Sequence, residues 1–529
     1  MEAMGQEIPD LVLTGGQIFT GASRPRWARA LAVRGDRIFA VGDDDEVRAL
    51  AGPATREMRL HGRTVVPGLN DAHAHVSPAP RQDTELTLPH DPTLDEVRDA
   101  LESLGGSDEH GWVVGVVGPR VLLDDRVQRD VLDTVVPRRP VWLAGYTGHG
   151  AVLNSTALRR LDLGDDRPAV AGGWYERCGD ERHRGVLHEY EGWVASRRRR
   201  DGSRDDAVRA YREVATAAIR WGMTSYQQMA TDRPAVDAVD MLREVRPEIR
   251  WRVVPMPMST DDQLVLDDVM PDGAALTDLP NVTVSGRKWI LDGTPVEAAA
   301  AVRAPWHGLD RAGRLNFPEP NLHRIVAHAL DIDEQLILHV CGDATAAAVV
   351  EALERTGGRH TWSGRRVRIE HGDLLDHELA GRLAAFGAFV VQNPLHFDDP
   401  IVRRRLGPAR ASERLLLHDL PETGLGLGLG SDGPLNPWLS ILAAITTPNR
   451  PDQALTREEA IAAYTHGSAA AEFAEHDKGT LEAGKLADLA VLDRDVFTVP
   501  ANELPATTSL LTLVGGKIVW GQKPFARNQ

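Results

Sequence analysis

The stretch VVPGLNDAHAH, Val65 to His75, decides how the rest of the chain is read. An apolar, β-branched run breaks at Pro67 and Gly68 and ends in His73 and His75, one residue apart. In an extended segment the side chains at i and i+2 point to the same face, so both imidazoles can reach one metal ion. The other reading is a pair of histidines with a surface or core role, and the pair alone does not choose between them.

Outward from this stretch, apolar β-like runs alternate with helical ones. Candidate strands are Val65 to Leu69, Thr224 to Gln228, Trp251 to Met256, Val282 to Leu291, Leu336 to Val340, Val367 to Glu370, Ala388 to Gln392 and Gly424 to Gly430. Strands alternating with helices favour a parallel sheet with helical crossovers. Eight such units predict an α/β fold, a TIM-like (β/α)8 barrel over residues 69–476. A barrel of this kind needs about 250 residues, so the excess is an insertion after the first strand. It is placed at about 77–205, with apolar segments of its own at Trp112 to Val117 and Val141 to Gly145, and is expected to form a lid at the mouth. Within it, Arg197 to Arg200 reads as a solvated helix face.

The two ends of the chain resemble each other. Leu11 to Thr20 and Ala30 to Val41 near the start, and Gly484 to Asp493 and Ser509 to Trp520 near the end, are short β-rich runs with Gly-Gly or Gly-Asp turn signals. They predict one small β-sandwich domain composed of residues 1–68 plus 477–529.

Composition narrows the function. The chain has 529 residues, 42% hydrophobic and 26% charged, and no apolar run approaching the ~18 residues of a membrane helix. Sixty basic residues against seventy-seven acidic ones give a net charge of -17, which argues against nucleic acid or a membrane surface and for a small-molecule partner. With only Cys178 and Cys341, and a start that lacks the regions of a signal peptide, a reducing cytoplasm is expected. Size and acidity are compatible with a homodimer, on which no motif bears.

Further polar residues fall at the ends of predicted strands. His339 ends LILH, His371 ends VRIEH, and Asp432 closes GLGLGSDGP, whose glycine spacing does not fit a dinucleotide fingerprint. Active sites of such barrels are built at the C-terminal ends of the strands. Each histidine taken singly reads as structural, but four histidines and an aspartate at the ends of strands 1, 5, 6 and 8 converge on one rim. Lys288 stands out by composition. Only five of the sixty basic residues are lysines, and Lys288 is the sole one before position 478. A lysine amine can lose its proton and react with carbon dioxide to give a carboxylate, which arginine cannot do. A salt-bridged lysine is the other reading.

These motifs, together with TGHGAVLNSTAL at Thr147 to Leu158 and KGTLEAGKLADLAVLD at Lys478 to Asp493, resemble the amidohydrolase superfamily. Within it they are most similar to the branch called amidohydrolase family 3, which includes N-substituted formamide deformylase. The resemblance implies that His73, His75 and Asp432 hold one divalent metal and His339 and His371 another, with Lys288 bridging them as a carboxylate. Members vary between one and two metals. Here every expected position is filled, which implies two, with zinc the expected ion.

The resemblance implies hydrolysis, by water activated at the metal, of a small molecule's carbon–nitrogen bond other than a peptide bond, with Asp432 as general base and then acid. A decarboxylase, lyase or isomerase could use the same site, and a binding or regulatory protein could retain the barrel; the filled ligand set speaks against the last. His149 and His396 are candidate substrate-binding residues, with a structural role as the other reading, and Trp174, Tyr175 and Trp289 are candidate lining aromatics, although core or lid packing is the commoner role of such residues. Cys341 and Gly433 depart from the branch's usual residues and bear on pocket shape.

Overall fold

The computed structural model describes residues 8–76, 83–104, 111–200, 204–268, 270 and 276–522. The first residues of the predicted insertion, 77–82, and Lys523 lie outside them.

Both ends of the chain meet in two sheets. One has six strands in the order Lys517–Gly521, Ser509–Val514, Leu489–Leu492, Thr64–Pro67, Gln17–Phe19, Trp27–Ala28. The other has four, Arg37–Gly42, Ala30–Arg34, Leu11–Thr14 and Arg56–Arg59. Alternating apolar residues of the two, among them Leu13, Leu31, Val65, Leu489, Val491 and Leu511, share one core.

The parallel strands form two arcs. Leu69–Ala74, Met223–Met229, Arg250–Val254 and Val282–Val284 pair in sequence in the first, and Arg287–Ile290, Leu336–Val340, Arg368–His371, Phe389–Gln392 and Gly426–Leu429 in the second. Nearly every residue of these strands is buried, as a sheet covered on both faces requires. The ladder is not a closed sheet. The arcs are linked at one seam by the Lys288 amide donating to the Pro255 carbonyl at 2.9 Å, and at the other by the Asp432 amide donating to the His73 carbonyl at 2.8 Å.

Two strand assignments differ from the sequence reading. The run Val65 to Leu69 is not one strand. Thr64–Pro67 pairs antiparallel with Leu489–Leu492 in the terminal sheet, and the chain then enters the first arc at Leu69. Gly68 marks the switch, because a Cβ there would fall 2.1 Å from the hydroxyl of Thr224. The run Val282 to Leu291 is likewise broken between its two arcs, at Ser285 and Gly286.

Residues 84–189 contribute a separate sheet of six strands in the order Gly173–Arg177, His183–Glu189, Gly150–Leu153, Val141–Gly145, Val113–Val117, Thr84–Glu85. The helix Tyr190–Arg200 leads out of it, and Arg197 and Arg199 do not lie on a solvated face. Arg197 is taken inward, donating to the carbonyls of Thr231, Ala230 and Met256 at 2.9, 2.7 and 3.1 Å. Arg199 pairs with Asp83 at 2.8 Å. A guanidinium reaches several carbonyls at once, so Arg197 docks the helix where the charge of the run alone suggested solvent. Among the described residues no helix is long and apolar enough to cross a membrane.

Candidate active site

His73 lies near the end of the first parallel strand, Lys288 and His339 lie within their strands, His371 ends its strand, and Asp432 follows the last one. All five border the same cavity of about 660 Å³, together with His75 and His149. His371 and Asp432 have positive φ, 70° and 43°, so both side chains are turned by backbone that non-glycine residues seldom adopt. Two residues before Asp432, Gly430 allows the last strand to pass against the first, since a Cβ there would come within 2.6 Å of the His73 backbone.

His73 is fully buried and clamped from both sides. Its Nδ1 meets Glu370 Oε2 at 2.5 Å and its Nε2 meets Lys288 Nζ at 2.8 Å. Glu370 is fixed in turn by Arg368, whose Nε donates to it at 2.5 Å and whose other nitrogens reach Gln227 and the Ala72 carbonyl. His75 Nδ1 meets Thr231 Oγ1 at 2.8 Å, which leaves its Nε2 facing Asp432 Oδ1 at 3.1 Å. The other carboxylate oxygen of Asp432 stands 3.8 Å from Nε2 of both His371 and His396. The rings of His339 and His371 are 4.4 Å apart, and those of His73 and His371 5.1 Å.

Protonation follows from burial. Desolvation, helped by Lys288, lowers His73 to about 4, and desolvation with neighbouring cations takes His339 and His371 well below the usual histidine value. Burial also lowers Lys288 to about 8. For Asp432 burial works upward, but His73, His75 and His371 outweigh it and hold the carboxyl ionised.

Imidazoles gathered around a carboxylate are a donor set that a divalent cation takes. His73, His75 and Asp432 present donor atoms within 4.8 Å of one another, as do His371, His396 and Asp432. His371 Nδ1 is buried and has no hydrogen-bond partner among the described residues. The residues present therefore fit a metal centre.

His149 and His396 flank the cluster. His149 borders both the main cavity and a smaller one of about 340 Å³, which His396 also lines. His149 Nδ1 lies 3.0 Å from Glu189, which also accepts from Asn316. Of the candidate aromatics none borders either cavity. Trp289 packs against Phe317 in the core, and Trp174 and Tyr175 stack on His188 and His183. Trp142, Tyr146 and Trp193 border the main cavity in their place.

Sequence reasoning missed the residues behind the cluster: Glu370, Glu189, Thr231 and Asp292. Asp292 accepts from the amides of Cys341, Gly342 and Ala301 and from Thr345. Cys341 itself lies 3.3 Å from His339 Nε2. The signal for Glu370 was present, because Arg368 and Glu370 share one face of a strand that is buried throughout, where a charged pair needs a reason.

A family model described as the amidohydrolase family matches residues 56–520. The N-substituted formamide deformylase of Arthrobacter pascens is 26% identical over 96% of this chain and 98% of its own length. The protein LONG AFTER FAR-RED 3 of Arabidopsis thaliana is 26% identical over 96% and 91%. Among solved structures, an uncharacterized metal-dependent hydrolase from Pyrococcus horikoshii superposes with a TM-score of 0.69 at 21% identity, over 93% of this chain and 99% of that one. With the match extending over most of its length, the chain belongs to the amidohydrolase family and is a hydrolase of carbon–nitrogen bonds.

Proposed function

We propose that the chain hydrolyses an N-substituted amide of a small molecule, formamides included, at a centre with two divalent ions. The observation that carries this reading is the convergence of four histidines, Lys288 and Asp432 on one cavity. His73, His75 and Asp432 would hold one ion, His339 and His371 the other, and Lys288, as its carbamate, would bridge them. Zinc suits imidazole and carboxylate donors. The likeness to the Arthrobacter pascens deformylase supports the choice of N-substituted amides. The two arcs of parallel strands are read as the halves of one (β/α)8 barrel, carried on a domain composed of both chain ends.

When bound, a divalent cation lowers the pKa of water and polarises a carbonyl. Lys288 is prepared for its role by burial: a lowered pKa leaves more of the amine neutral, and the neutral amine adds to carbon dioxide with release of a proton. Asp432, held ionised, accepts a proton from the attacking water. It then returns that proton to the departing nitrogen, which would otherwise leave as an unstable anion. His149, which borders both cavities, and His396, which borders the smaller one, would contact the substrate carbonyl.

The test is turnover of a panel of N-substituted formamides, acetamides and cyclic amides by zinc-loaded protein, with the products identified. Release of an amine with a carboxylic acid, abolished by a chelator, is expected. Turnover of none of them, or products of decarboxylation or isomerisation, overturns the reading.

A further inference from the structure

The larger cavity has one wall that the chemistry above does not use. Val116 and Ala144 are register partners across the strands Val113–Val117 and Val141–Gly145, and Ala144 pairs in turn with Ala151. All three border the cavity, as do Trp142 and Trp193. This row of small apolar side chains gives a smooth wall, and Val116 leaves 50% of its surface exposed there. An apolar side chain on a sheet face beside an active site, with nothing packed on it, is an invitation to a ligand.

The aromatic members are held rigidly. Trp142 stands edge to face with Trp112 and lies under the Arg199 guanidinium. Trp193 is edge to face with both His149 and Tyr190. Rigid aromatic walls bind apolar groups at low entropic cost. Beside Trp193 on the same cavity, Gly192 sits in the first turn of the helix Tyr190–Arg200, where a Cβ would meet no atom within 4 Å. Packing does not demand a glycine there; what its absent side chain leaves is room in the cavity.

We propose that the larger cavity is a specificity pocket for a neutral apolar substituent of the substrate, walled by Val116, Trp142 and Trp193 and kept open by Gly192. This rests on the amide-hydrolase reading for what the substituent is attached to.

The test is equilibrium binding of N-alkylureas, methyl to hexyl, to the metal-loaded full chain, followed by tryptophan fluorescence. Each added methylene should tighten binding roughly fourfold while it remains in the pocket. Gly192→Leu, a substitution that favours the helix, should flatten this dependence, and Val116→Asp should weaken the hexyl compound by roughly tenfold or more, with circular dichroism unchanged in both. A dissociation constant independent of chain length, no binding of any urea, or a dependence that survives Gly192→Leu overturns the proposal. So does equal binding of an analogue whose terminal methyl is replaced by an ammonium, which would put Asp232, also on this cavity, in control. Since binding requires no turnover, failure of the hydrolase reading would leave the chain-length dependence intact. A flat dependence in protein that hydrolyses formamides would refute the pocket alone.

Discussion

Glu370 holds the Nδ1 of His73 at 2.5 Å and is itself held by Arg368, all three side chains being fully buried. The opposite ring nitrogen, Nε2, is thereby committed to the cavity side, where it faces Lys288. A carboxylate behind a ligating histidine fixes ring orientation and tautomer and raises ligand basicity. Glu370→Gln keeps the shape and removes the charge. Metal affinity should fall by about 10- to 100-fold, read by competition with a chromogenic chelator. An unchanged affinity would show that His73 is oriented by packing alone.

Asp432→Asn should lower turnover by about 10²- to 10⁴-fold, while the Michaelis constant moves far less. Steady-state kinetics on whichever amide the panel identifies checks this. A variant that loses binding and keeps its turnover number would make Asp432 a substrate contact instead.

Arg197 donates from its helix to three carbonyls just beyond two strands of the first arc, so Arg197→Leu strands buried acceptors at about 1–3 kcal/mol each. The melting temperature should drop by several degrees, and Arg197→Lys should restore little of it, since one ammonium cannot reproduce the planar fork. A neutral Arg197→Leu would return this residue to the solvated face that its sequence suggested.

The pH dependence of stability has one clear contributor away from the metal cluster. His183 accepts the Gly185 amide on Nδ1, and burial with Arg129 beside it lowers its pKa from 6.5 to about 4. The folded chain therefore binds fewer protons at this site than the unfolded chain between those values. The contribution of His183 is fully present above pH 6.5 and is lost as the pH falls toward 4, at up to about 1.4 kcal/mol per pH unit. His183→Gln, which keeps an acceptor without a titrating group, should show a shallower fall in melting temperature between pH 7 and 4.5. Equal slopes would exclude His183 as a source of acid sensitivity.

The sequence was most legible where chemistry leaves a local mark. The i, i+2 spacing of His73 and His75, the positions of His339 and His371 late in apolar runs and the isolation of Lys288 among arginines are enough to name residues that the fold brings to one cavity. Partners set by tertiary approach left no such mark. Glu189 reaches His149 from 40 residues away, and Thr231 reaches His75 from 156. The first strand was misplaced because one apolar run serves two sheets in succession, and only the closeness of Gly68 to Thr224 shows where it changes allegiance. The aromatics that do border the cavity are not legible for a similar reason: Trp142 and Trp193 come from residues 84–200, whose packing on the cavity no periodicity encodes.

A metal centre bridged through Lys288 is tested most directly by the metal content per chain of protein purified without chelators, beside a Lys288→Ala variant. About two equivalents of zinc or a similar ion are expected, falling in the variant. No bound metal in the parent protein, even after reconstitution with zinc, would contradict it.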